Sequence, residues 1–182
     1  MSTQPPPSPI LGALLAGWGV FGVLALLAKA LIGLTPIAVE ALTSGDLAWW
    51  HWLIAALWVA FMAYSEGYKG FQKRFSPFVA ARALELRDRP SWLRGLLAPA
   101  FCMGLFQATR RRLMLSWGIL IAVTLLVVVV RLLDQPWRGI VDAGVVVGLG
   151  WGAASLLASV AKGALTGQAS ADPELPSAPI TP

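Results

Sequence analysis

The chain holds a single cysteine, Cys102, and a single histidine, His51. One thiol cannot close an intramolecular disulfide, and one imidazole cannot by itself assemble a metal site. Charge is scarce as well. Only 13% of the 182 residues are charged while 57% are hydrophobic. An ordinary soluble domain is about a quarter charged, so a water-facing surface cannot be covered with what is here. HExxH, GxSxG, the phosphate-binding P-loop, CxxC and paired carboxylates inside an apolar run are all missing, and with them the short patterns that mark metal, acyl-transfer, nucleotide and redox chemistry. No catalytic residue, metal site or cofactor is expected. Nucleic-acid recognition would need a soluble module with exposed aromatics, which this composition does not provide.

Apolar sequence is what remains in abundance. A bilayer core ~30 Å thick needs ~20 apolar helical residues to cross it, and four runs reach that length: 10–34, 47–65, 113–133 and 139–163. They are continuous rather than alternating, which favours helices over barrel strands. The first run has the position of a secretory signal and contains Ala28-Lys29-Ala30. It is too long for one, and the preceding STQPPPSP carries no Lys or Arg, so it reads as a retained helix. The expected fold is an all-α integral membrane protein, a four-transmembrane-helix bundle over 10–163. Tails 1–9 and 164–182 are rich in Pro, Ser and Ala with little to bury, which predicts disorder.

Orientation follows from where the basic residues collect. Of the 14, ten fall in segment 66–112, against Glu66, Glu85 and Asp88; the positive-inside rule places that segment in the cytoplasm and, with four crossings, both termini with it. Trp49, Trp50, Trp52 and Trp137 mark the outer interface and Trp92 and Trp117 the inner one. His51, among these indoles, reads as a belt residue rather than a haem or metal ligand. The Ala/Leu/Arg-rich usage points to a bacterial inner membrane. Lys69, Lys73, Arg74, Arg110, Arg111 and Arg112 gather at the inner surface, where they set topology and suit anionic lipid head groups or a partner.

The second apolar run ends among charges. Phe61, Tyr64, Tyr68, Phe71, Phe75 and Phe78 are spaced 3 or 4 apart and would share one face of an α-helix, with Glu66, Lys69 and Lys73 opposite. The spacing predicts a helix over 47–75, broken at Ser76-Pro77. Beyond it, Val79, Ala83 and Leu86 line one side of a short interfacial helix closed by Pro90, and 95–109 is apolar but too short to span, so it is interfacial, re-entrant or packed under the bundle.

Two packing devices stand out in the last two spans. Gly144, Gly148 and Gly152 form a stripe of small residues that asks for close approach by another helix, either Ala13, Ala16 and Gly17 of the first span or a second copy of the chain. The short link between spans three and four predicts an antiparallel hairpin that brings Arg131 and Asp142 to one depth as an ion pair. The leading functional expectation is a non-enzymatic scaffold or accessory subunit of a membrane complex, docking through the aromatic stripe and the basic segment. Two alternatives stand beside it: a homo-oligomeric channel or transporter, with Glu66 and Lys69 at its inner mouth, and a membrane-embedded lipid-modifying enzyme using Cys102, His51 or Glu66. The expected partners are the bilayer, its anionic lipids, a second copy or another membrane protein.

Overall fold

A computed structural model describes residues 9–45 and 47–176; of the two predicted tails, 1–8 and 177–182 lie outside the described residues. Regular structure among the described residues is entirely helical. Three helices are long and apolar enough to cross a membrane: α1 (Pro9–Thr43), spanning-competent over Ile10–Thr43, α6 (Arg110–Arg131) and α7 (Trp137–Thr166).

The expected second span takes a different form. Helix α2 (Trp49–Met62) has 14 residues, ~21 Å, short of the ~30 Å core. It runs directly into a π-helical segment, Ala63–Phe75, and then into α3 (Ser76–Asp88). The predicted break at Ser76-Pro77 does not occur. The Ser76 N–H donates to the Phe71 carbonyl five residues back, and Pro77 stands in the first turn of α3. The proline needs no donor there, and the widened turn before it relieves the crowding that its ring would cause in a tight ladder.

Helix α7 is the axis of the molecule. A Cβ at Gly139 would fall on Ala41 of α1; at Gly144 it would touch Trp58 and Met62 of α2, at Gly148 Glu66, and at Gly152 the Phe71 ring. The glycine stripe therefore takes its partner from the same chain, but from α2 and the π segment, not from Ala13, Ala16 and Gly17. Nothing lies within 4 Å of a Cβ at Gly17.

At one end of the bundle, α3, α4 (Trp92–Leu96) and α5 (Ala98–Cys102) fold back on the first half of α1. Val20, Val23, Phe78, Val79, Ala83, Leu86, Ala98, Phe101, Cys102 and Leu156 form the buried core there. Segment 95–109 is thus packed under the bundle. Of the carboxy-terminal stretch read as tail, 168–176 has no helix yet lies against this core: Leu175 packs on it, and the Thr109 N–H donates to the Glu174 carbonyl at 2.9 Å.

Helix α6 stands apart. Every residue from 117 to 129 is exposed, and its fixed points are at its ends. Ser116 Oγ donates to the Met103 carbonyl and Trp117 Nε1 to the Leu105 carbonyl, both at 3.1 Å, while Val130 is buried at the other end. The close α6–α7 hairpin is not formed, because α7 spends its small-residue face on α1, α2 and the π segment.

Candidate functional site

Polar side chains inside an apolar bundle are costly unless they are paired or hydrogen-bonded, so their arrangement is where function is sought. Two groups emerge. The first lies between the π segment and α7. A hydrogen-bond ladder of five-residue register turns the helix less per residue than an α-helix, so residues expected opposite one another change faces. Lys69 lies over the Tyr64 ring and Lys73 over the Tyr68 ring, each 4.6 Å from the centroid and each five residues on. Phe71 and Phe75 meet edge to face at 5.4 Å, and Phe71 turns onto Gly152. The single aromatic face therefore divides. Tyr64 and Phe61 stay exposed while Phe78 is buried in the core, so the stripe is not a continuous docking surface.

The same change of register brings Glu66 onto α7, where its Oε2 is 3.3 Å from the position of a Cβ at Gly148. Toward α3 the seam stays polar. Trp151 Nε1 donates to Gln72 Oε1 at 2.7 Å. Ser155 donates to the Gly152 carbonyl at 2.9 Å, which leaves Ser76 to donate to Ser155 at 2.8 Å. Both serines are buried.

The second group is a knot of arginines at the α3–α5 end of the bundle. Arg82 is fully buried, stacked 3.9 Å from the Phe101 centroid. Its guanidinium donates to the carbonyls of Pro173, Phe106 and Gln107 at 2.9, 3.0 and 3.1 Å. Arg94 donates to Gln107 Oε1 at 2.6 Å, and Arg112 lies 3.5 Å over the Phe78 ring and 3.9 Å from Glu174. Burial pulls the Arg82 guanidinium down to about 10; Cys102 opposes the shift, and Arg94 and Arg112 add to it. Burial pushes the Cys102 thiol up to about 12, against the pull of Arg82. A thiol so placed is not a nucleophile at neutral pH.

Lys69, Lys73, Arg74, Arg110 and Arg111 are exposed at the protein surface. Arg112, read as a sixth surface cation, is turned inward, because Phe78 and Glu174 lie beneath it. The Arg131–Asp142 pair is not made. Asp142 lies 3.9 Å from Arg138, one turn away on α7, while Arg131 is exposed at the carboxy-terminal turn of α6, where a cation suits the helix dipole. His51 Nδ1 accepts the Ala48 N–H at 3.0 Å and the ring lies tilted against Trp50, centroids 3.5 Å apart, so it caps α2 beside Trp50 and Trp137.

His51, Glu66 and Cys102 do not converge on one site, and no group of three or more His, Cys, Asp or Glu able to hold a metal occurs among the described residues. Sequence reasoning missed Arg82 as a buried centre. Its only signal was a cation between the apolar Val79 and Ala83 and four residues from Phe78, a pattern equally common on exposed helices. No protein-family model, curated protein or solved structure matches the chain.

Proposed function

We propose that the protein is a non-enzymatic accessory or scaffold subunit of a bacterial inner-membrane complex, and that α6 is the helix it offers to a partner. The observation that carries this reading is the exposure of α6 on every side from 117 to 129. Between helices in lipid there is little hydrophobic drive, and association comes from close packing around small residues. On α6, Gly118 has nothing within 4 Å of its Cβ position, which leaves a notch for a crossing helix. Both ends of α6 are fixed, so its apolar middle is presented at a constant place beside the bundle. The positive-inside rule puts the basic residues from Lys73 to Arg112 on the cytoplasmic side; counting the α2–π rod as a crossing puts both termini there too. Exposed Lys73, Arg74, Arg110 and Arg111 then face anionic head groups.

Support for the channel reading is weaker, since Gly144, Gly148 and Gly152 are filled within the chain by Trp58, Glu66 and Phe71. Lipid-modifying chemistry lacks a convergent set of reactive groups.

The test is in-cell photo-crosslinking from a benzophenone amino acid placed at Ile119, Val123 or Val127. A discrete adduct with another membrane protein, recurring at more than one of these positions, is expected. Adducts only with a second copy of the chain would favour the homo-oligomer, and adducts only with lipid would overturn docking through α6.

A further inference from the structure

The seam between the π segment and α7 carries a second inference, independent of α6. Gly148 is eleven residues beyond Trp137, so Glu66 sits ~16 Å inside the aromatic belt formed by Trp50, His51 and Trp137, near the middle of a ~30 Å core. Its side chain is half-buried and lies on a glycine, which supplies no polar side chain. The ion pairs among the described residues involve Asp88, Glu85, Glu174 and Asp142 but not Glu66. Lys69, one turn away, is held over Tyr64.

Each element packed against the π segment leaves the carboxyl without a countercharge. On α7 the charged residues are Arg138, Asp142 and Lys162; Asp142 is six residues from Gly148 and already beside Arg138, and Lys162 is fourteen residues away. On α2 the one titratable group is His51, at its far end. On α3 the charged residues Arg82, Glu85, Arg87 and Asp88 lie beyond the Ser76–Ser155 contact. An unpaired carboxylate at this depth would carry a large desolvation cost, whereas the neutral acid carries little. The helix that holds it is π-helical over 13 residues, a conformation usually confined to single turns and concentrated at functional sites. Here it is what moves Glu66 from the face expected of an α-helix onto α7.

We propose that Glu66 is a proton-binding carboxyl within the membrane, neutral at rest, held against Gly148 of α7. The ligand is the proton itself.

The experiment uses the full chain in phospholipid vesicles treated with N,N′-dicyclohexylcarbodiimide, an apolar reagent that enters the bilayer. It reacts with a protonated carboxyl: the acid O–H adds across one C=N bond, the carboxylate oxygen bonds to carbon, the proton passes to nitrogen, and acyl migration leaves a stable N-acylurea with no leaving group. Mass spectrometry of peptides is expected to place the adduct on Glu66 in preference to Glu40, Glu85 and Glu174, with at least tenfold higher occupancy, and with labelling that declines as the pH is raised. Glu66→Gln should abolish that adduct. The wild-type result decides the matter even if this variant fails to fold. Equal labelling of all four glutamates, or none at Glu66, would overturn the proposal. Protection of Glu66 by sodium ions at constant pH would also overturn it, since the carboxyl would then be a metal-cation site.

Discussion

Replacing the glycines of α7 one at a time by alanine should produce a graded series whose order follows from what each new methyl meets. At Gly150 nothing lies within 4 Å, so the change removes only glycine's penalty in a helix interior and stabilises by up to about 1 kcal/mol. At Gly148 the methyl would lie 3.3 Å from Glu66 Cβ and Oε2, and a shift of a few tenths of an ångström accommodates it. Gain and cost there nearly cancel. At Gly152 it would lie 2.6 Å from the Phe71 ring, which is braced by Phe75 5.4 Å away, and overpacking of this kind costs about 1–3 kcal/mol. At Gly139 the obstacles are the Ala41 methyl and, at 3.0 Å, the Ile37 carbonyl oxygen. Neither can rotate away, so α1 and α7 must separate, at the upper end of that range. The difference between Gly150→Ala and Gly139→Ala is then about 3–4 kcal/mol, a factor of ~10²–10³ in the folding equilibrium. Reversible unfolding by sodium dodecyl sulfate in mixed micelles, followed by tryptophan fluorescence, measures it. If Gly139→Ala and Gly152→Ala unfold at the same denaturant fraction as Gly150→Ala, the packing of α7 deduced from its glycines is wrong.

Arg82→Ala should destabilise by about 3–5 kcal/mol, because it leaves three carbonyls without donors and a void beside Phe101; thermal unfolding in detergent no different from wild type would refute its role. Cys102, with its thiol pushed up to about 12 from 9.0, has about a thousandfold less thiolate at neutral pH than an ordinary cysteine, so maleimide should label the folded protein at least that much more slowly than the denatured one. The same shift has a sign. Between pH 9 and 12 the folded chain keeps a proton that the unfolded chain releases, so stability falls as pH rises through that window, and Cys102→Ala should remove that part of the slope. Asp142 faces Arg138 rather than Arg131, so Arg138→Gln should lower the unfolding temperature in detergent while Arg131→Gln leaves it within a degree or so; the reverse order would restore the hairpin pairing.

Length and hydrophobic runs were enough to read an all-helical membrane protein, three helices able to span, and the close-packing role of Gly144, Gly148 and Gly152. Those features depend on local periodicity and on the solvent, and both are written residue by residue. The one-sided face of Val79, Ala83 and Leu86 read for an interfacial helix was not legible in this way, since Ala80, Ala81 and Arg82 of α3 are buried as well. What only the tertiary structure decided depends on register and on partners. An α-helical wheel puts Glu66 opposite the aromatics, whereas the π segment carries it onto Gly148, and no short-range pattern announces thirteen residues of five-residue hydrogen bonding. Proximity in sequence suggested that α6 and α7 form a hairpin with Arg131 against Asp142; the small face of α7 instead goes to α1 and the α2–π rod, because a helix has one such face and the better-fitting neighbours take it. Arg82 became a buried centre only once α5, the turn at 103–109 and Pro173 had closed around it, since a buried charge is tolerated where carbonyls from distant parts of the chain converge, and that convergence is a property of the fold.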